Sequence, residues 1–151
     1  MYRIVINENE RCCAFMRARV PHCLAQAETC IGLELRGKLI AVALYCNQTK
    51  FDIEMHTAID GRVTRAWIIA AFSYPFLQLE LPRVSTSVNR GNMQSGRLAT
   101  KLGFRVEGCK RMGWDGQDLL QLGMLREECR FIATASPLVR AMLAEPTGTM
   151  Q

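Results

Sequence analysis

Hydrophobic and polar positions alternate along some stretches of the chain and recur at helical spacing along others. Alternating or β-branched runs predict strands at Tyr2–Ile6, Ile31–Leu35, Leu39–Tyr45, Phe51–Ile59, Arg83–Val88, Phe104–Gly108 and Leu119–Arg126. Helical spacing predicts helices over Glu10–Arg19, Cys23–Thr29, Thr64–Phe72 and Met93–Leu102, with a short terminal helix from Pro137. Strands and helices therefore interleave, which predicts an α/β fold with a single domain over residues 1–151.

Short polar segments mark where these elements begin and end. Arg36-Gly37-Lys38 predicts the turn of a hairpin. Asn7 or Asn9 is expected to cap the first helix, because a short polar side chain can accept a hydrogen bond from a free backbone N–H. Gly103 follows the helix Met93–Leu102 and is expected to be its C-terminal cap.

The predicted strand Phe51–Ile59 carries the most suggestive polar side chains. Its alternation places Glu54 and His56 together on one face and Ile53 and Met55 on the other. A carboxylate and an imidazole are common general bases, so either Glu54 or His56 could take a proton from a reacting group. The alternative for each residue is that it is an ordinary polar side chain on a sheet face, without a catalytic role.

Composition and charge narrow the function classes. Hydrophobic residues make up 49% of the 151 residues, enough for a folded core. The net charge of +5 suits an anionic ligand, but the basic residues are scattered and not interleaved with aromatics, so nucleic-acid binding is the least favoured class. We find no run near the ~20 apolar residues of a membrane span and no signal-peptide pattern, and we expect a cytoplasmic protein without membrane attachment.

The cysteines do not predict a disulfide framework or a metal centre. There are seven, an odd number, and none shows Cys-x-x-Cys spacing. Only His22 and His56 could supplement them as ligands, so no metal site is expected. Reduced thiols in the core are the favoured interpretation, and Cys109 and Cys129 are expected to lie buried in strands.

Two motifs and the order of elements resemble the GNAT superfamily of acetyl-CoA-dependent N-acetyltransferases. The motifs are Asn92-Met93-Gln94-Ser95 and Lys101-Leu102-Gly103-Phe104, the second continuing to Glu107-Gly108. They look most like the ribosomal-protein N-terminal acetyltransferase branch, and the resemblance extends from about Leu33 to Arg126. It implies a mostly antiparallel mixed sheet, flanked by helices, whose central strands splay apart. The implied reaction moves an acetyl group from acetyl-CoA to a primary amine: a protein N-terminus, a lysine or a small amine. A homodimer is compatible with the family.

The same resemblance implies where acetyl-CoA would bind. The pantetheine arm would lie along the fourth strand at Thr57, Ala58 and Ile59, and a backbone N–H near Thr57 would polarise the thioester carbonyl. The pyrophosphate would lie at the start of the next helix, in the loop formed by Arg62, Val63, Thr64, Arg65 and Ala66. This loop departs from the family pattern: only Ala66 matches, and Thr64 stands where the middle glycine is usual.

Catalytic roles carry over residue by residue. Glu54 or His56 would be the base. Ala99 stands where many family members have an acidic tyrosine, so Ser95 is the implied acid for the leaving thiolate. Asn92 would contact acetyl-CoA or a water, or simply cap its helix. The departures at Thr64 and Ala99 keep a second hypothesis open, a weak or inactive module that binds CoA or a protein partner.

Overall fold

The computed structural model describes residues 1–20 and 28–134. Seven strands form one sheet in this part of the chain: β1 Tyr2–Ile6, β2 Thr29–Leu35, β3 Lys38–Cys46, β4 Glu54–Ile59, β5 Arg83–Asn89, β6 Arg105–Trp114 and β7 Gln117–Leu125. Three α-helices accompany them within the same ranges: α1 Asn9–Arg19, α2 Arg65–Ser73 and α3 Met93–Leu102. A π-helical turn, Tyr74–Gln78, extends α2 at the position of Pro75. The predicted α/β class is confirmed.

The sheet is antiparallel except at its centre. Its order is β1-β2-β3-β4-β5-β7-β6, and β4 and β5 are the parallel pair. Among the described residues, β4 and β5 share a single register position, Glu54 opposite Ser85, whereas β3 and β4 pair from Ala41–Ile59 to Cys46–Glu54. The predicted splay of the central strands is therefore confirmed.

Helices cover both faces of the sheet. Alternate residues of β3 belong to different clusters: Ala43 and Tyr45 join the larger core under α2 and α3, while Val42 and Leu44 join a smaller core under α1. Trp67 belongs to the larger core, is 3% exposed and donates its indole N–H to the carbonyl of Ile31 at 3.1 Å. The burial of both faces fixes β4 and β5 at the centre of the domain.

The segment before β4 differs from the predicted strand. β4 begins at Glu54, because Thr49 organises the preceding residues into a turn. Its hydroxyl accepts hydrogen bonds from the N–H groups of Phe51 and Asp52, each at 3.1 Å, and its own N–H donates to the carbonyl of Asp52. Phe51 is 69% exposed as a result and takes no part in the core.

The expected caps of α1 are wrong. Glu8 occupies the N-cap position and forms no side-chain cap. Asn7 instead adopts a positive φ of 60° and donates its backbone N–H to the carbonyl of Cys30, which turns the chain out of β1. The predicted helix Cys23–Thr29 lies outside the described residues apart from its last two positions, and Thr29 begins β2; the predicted terminal helix at Pro137 also lies outside them.

The structure confirms part of what was expected of the cysteines and contradicts the rest. Cys12, Cys30, Cys46 and Cys129 are buried, but Cys109 is exposed. Cys109 lies in β6, the edge strand of the sheet, where one side of the strand has no neighbour. Cys129 is 6% exposed but follows a 3₁₀ turn instead of lying in a strand. Among the described residues, no helix has the length and apolar character needed to cross a bilayer.

Candidate active site

The centre of the sheet opens where β4 and β5 separate. The N–H of Ser85 donates to the carbonyl of Ile53 at 3.0 Å, and the hydroxyl of Thr86 donates to the carbonyl of Met55 at 2.8 Å. Backbone groups of alternate strand residues point to the same side, so those of Thr57 and Ile59 face the widening gap. This edge of β4 can accept an extended ligand as an additional strand.

A cavity of about 500 Å³ adjoins this gap between β4, β5, α1 and α3. Five of the predicted site residues line it together: Glu54, His56, Thr57, Asn92 and Ser95. The remaining predicted residues do not line this cavity. Ala58 packs into the core under α1, Ile59 packs against the larger core, and the loop from Arg62 to Ala66 lies outside the cavity lining.

Glu54 and His56 form a polar pair on the cavity wall. Nε2 of His56 lies 3.6 Å from Oε2 of Glu54, and the two side chains are 26% and 42% exposed. The amide of Asn47 donates to the same Glu54 oxygen at 2.7 Å and fixes the carboxylate. Both side chains can therefore be reached by a ligand in the cavity, and neither is committed to a buried structural role.

The start of α3 forms the opposite wall. Oδ1 of Asn92 accepts a hydrogen bond from the N–H of Ser95 at 3.2 Å, so Asn92 is the N-cap. Ser95, in the first turn of the helix, lines the cavity. Ala99, one turn further, lines the same cavity and offers no ionisable group. Gly103 ends the helix with a φ of 116°, as predicted.

Thr64, which stands where the family pattern has a glycine, has a structural role at the start of α2. Its dihedrals, φ −89° and ψ 154°, are ordinary extended backbone, and its hydroxyl accepts a hydrogen bond from the N–H of Trp67 at 3.1 Å. Glycine is therefore not needed for the fold here, because threonine acts as the N-cap. Arg62, Arg65 and Ala66 are exposed, and the first turn holds no acidic residue, so it can receive an anion.

A network of charged and polar side chains lies where β4 and β5 begin. Arg83 contacts Oε1 of Glu107 at 2.5 Å and Oδ1 of Asp52 at 3.4 Å, and Ser85 donates to Asp52 at 2.7–2.8 Å. The two carboxylates, chiefly that of Glu107, raise the pKa of Arg83 above its ordinary value. Glu107 thus has a structural partner, and the network ties β5 to the residue before β4 and to β6.

Several solved structures that are similar to this chain are acetyltransferases by name. A GNAT-family acetyltransferase from Bacillus anthracis matches 66% of this chain and 67% of its own, with a TM-score of 0.56 and 19% identity. The spermidine N-acetyltransferase SpeG of Vibrio cholerae, an engineered mutant, matches 87% of this chain and 96% of its own, with a TM-score of 0.67 and 16% identity. The ribosomal-protein-S5-alanine acetyltransferase of Vibrio fischeri matches 85% and 95%, with a TM-score of 0.66 and 16% identity. The chain has the GNAT fold. No protein-family model and no curated protein sequence matches it.

Similarity of fold does not favour either of the two activities that these names describe. The polyamine enzyme and the ribosomal-protein enzyme are similar to it to the same degree, with TM-scores of 0.67 and 0.66. The choice between these classes has to come from the side chains around the cavity.

Sequence reasoning missed three contributors to the site of this GNAT fold. Trp114, at the β6–β7 turn, lines the cavity and is 36% exposed. Arg83 organises the charged network described above. Cys46 of β3 lies directly opposite Glu54 of β4, so that Cys46, Glu54 and His56 have ligand atoms within 4.8 Å of one another. The spacing of these residues in the sequence does not indicate this group, because the pairing of β3 with β4 is what brings Cys46 to Glu54.

Proposed function

We propose that this chain is an N-acetyltransferase that moves the acetyl group of acetyl-CoA to a primary amine by direct attack. The observation that carries the proposal is the single register position shared by β4 and β5, beside a cavity that holds Glu54, His56 and Ser95. Splayed parallel strands leave backbone donors and acceptors free for an extended ligand, and the cavity places ionisable groups beside it.

Acetyl-CoA would bind along the exposed edge of β4. The amides of its pantetheine arm would pair with backbone groups of Thr57 and Ile59, and the N–H of Thr57 would polarise the thioester carbonyl. The pyrophosphate would bind the free N–H groups at the start of α2, with Arg62 and Arg65 adding charge-assisted contacts. Asn92 would contribute from α3 by holding the first turn of that helix against the cavity.

The cavity side chains would carry the proton transfers. Glu54 or His56 would remove a proton from the attacking amine, directly or through a water, as the C–N bond forms. The tetrahedral intermediate would then release CoA thiolate, and the hydroxyl of Ser95 would supply its proton. The acceptor class we propose is a primary amine, without preference between a protein N-terminus, a lysine and a polyamine.

Thermal denaturation with acetyl-CoA and with CoA tests the binding step. A ligand at 100 times its Kd stabilises the native state by about 2.7 kcal/mol, which raises Tm by about 5–10 °C for a chain of this size. No shift with either ligand would overturn the proposal. If binding is seen, CoA thiol release with a panel of amines tests turnover, and binding without release by any amine would favour the non-catalytic alternative.

Substitution of the two candidate bases tests the assignment. A general base contributes about 10²–10⁴-fold, so either Glu54→Gln or His56→Asn should lower turnover by at least about 100-fold while acetyl-CoA binding persists. Glu127→Gln, in the exposed 3₁₀ turn after β7, is a matched control and should leave turnover unchanged. Full turnover in both site variants would remove the base role from this pair.

A further inference from the structure

We infer that Cys46, Glu54 and His56 form a binding site for a thiophilic divalent cation, with Zn²⁺ the best fit, at the wall of the active-site cavity. This goes beyond the proposed acetyl transfer, which needs no metal, and it concerns a residue, Cys46, to which that reaction gives no role.

Two of the three pairs of ligand atoms are spaced almost as they would be around a bound ion, and all three atoms lie within 4.8 Å of one another. Sγ of Cys46 lies 3.7 Å from Oε2 of Glu54, and Nε2 of His56 lies 3.6 Å from the same oxygen. Zn²⁺ bonds of about 2.0–2.3 Å at tetrahedral angles require ligand atoms about 3.3–3.6 Å apart. Small side-chain rotations would therefore complete the three contacts, and the backbone pairing of Cys46 with Glu54 need not change.

The donor set selects the kind of metal. A thiolate, an imidazole and a carboxylate together favour Zn²⁺ and similar borderline cations over Mg²⁺ or Ca²⁺, which prefer oxygen ligands alone. Binding would replace the thiol proton of Cys46 by the S–Zn bond, and the proton would go to solvent. The fourth position would face the cavity and hold a water.

The surroundings meet two further requirements of a metal site. Asn47 donates to Oε2 of Glu54 at 2.7 Å and orients the carboxylate as an outer-shell partner does. Cys46 is only 5% exposed, yet it lines the same cavity as Glu54 and His56, so an ion can enter from that side. The bound ion would engage both candidate bases, so where the proposed acetyl transfer holds, Zn²⁺ should inhibit it.

Titration with Co²⁺, a spectroscopic substitute for Zn²⁺, tests the site without any assay of activity. We expect a thiolate-to-cobalt charge-transfer band with one equivalent of Co²⁺ and its loss when Zn²⁺ is added. Cys46→Ser should weaken binding by at least about 100-fold and Asn47→Ala by about tenfold, since even outer-shell changes cost about 10–100-fold. Cys109→Ser, at an exposed thiol in β6, should leave the band unchanged.

The possible outcomes separate this inference from the proposed function. No charge-transfer band, or a band that persists in a folded Cys46→Ser protein, would overturn the metal site whatever the enzymatic result. In an active enzyme, Zn²⁺ should inhibit the wild type but not Cys46→Ser, each compared with its own metal-free turnover, because the variant lacks the thiolate ligand. Equal inhibition of the wild type and Cys46→Ser would also overturn it.

Discussion

Replacement of Thr64 tests whether its side chain, which stands in place of the family glycine, obstructs the proposed phosphate site at the start of α2. Thr64 is the N-cap of α2, and its hydroxyl accepts from the N–H of Trp67 at 3.1 Å. Thr64→Ala removes this bond and should lower the free energy of unfolding by about 1 kcal/mol, while Thr64→Gly should cost only a few tenths. For a chain of this length the alanine variant should lose about 2–4 °C in Tm.

Both Thr64 substitutions should change the Kd for acetyl-CoA only slightly. The phosphate contacts we propose come from the backbone N–H groups of Arg65 and Ala66 and from the arginine side chains, none of which either Thr64 variant removes. Thr64 also has ordinary extended dihedrals, so glycine gains no access to a special backbone conformation there. We therefore expect the acetyl-CoA Kd of Thr64→Ala and Thr64→Gly to stay within about threefold of the wild type.

Urea denaturation measures the stability change, and isothermal titration calorimetry measures the Kd. Arg65→Ala is the comparison variant, because loss of a charge-assisted contact should weaken binding by about tenfold while the cap remains. A gain of tenfold or more in affinity for Thr64→Gly would refute the reasoning, since it would mean that the threonine side chain blocks close approach of the phosphate.

The hairpin of β2 and β3 and the helix α3 could be predicted because their signals are local. Gly103 ends α3 as predicted, and Asn92 caps its start, which was the alternative to a ligand contact. The turn at Arg36 and Gly37 has positive φ at both positions, 54° and 79°, which is the conformation that a tight hairpin requires. Each of these features depends on residues a few positions apart.

Features that depend on the order of strands could not be predicted in this way. Periodicity does not show that β7 inserts between β5 and β6, and this order is the reason that Cys109 of β6 lies exposed at the sheet edge. The contact of Cys46 with Glu54 likewise depends on the turn around Thr49, which sets where β4 begins. The candidate site residues Asn92 and Ser95 came from the resemblance of their motif to a family, whereas Cys46 required the register of β3 with β4.

Two further predictions concern catalysis and stability. Ser95→Ala should lower turnover more than it weakens acetyl-CoA binding, because the hydroxyl of Ser95 is proposed to protonate the thiolate and not to hold the ligand. Thr100→Ala, at an exposed position of α3, is the control. Unchanged turnover in Ser95→Ala would remove the acid role. The second prediction concerns Glu34, whose carboxylate accepts hydrogen bonds from Arg3 and Arg11, so its pKa lies below the ordinary 4.5. A group whose folded pKa is depressed stabilises the native state above its unfolded pKa, and that stabilisation is lost as the pH falls through the folded value. The Tm difference between the wild type and Glu34→Gln should therefore be largest near neutral pH and should narrow as the pH falls below 4.5. Thermal melts across this range measure it, and a difference that is the same at both ends would show that the ion pairs of Glu34 add no pH-dependent stability.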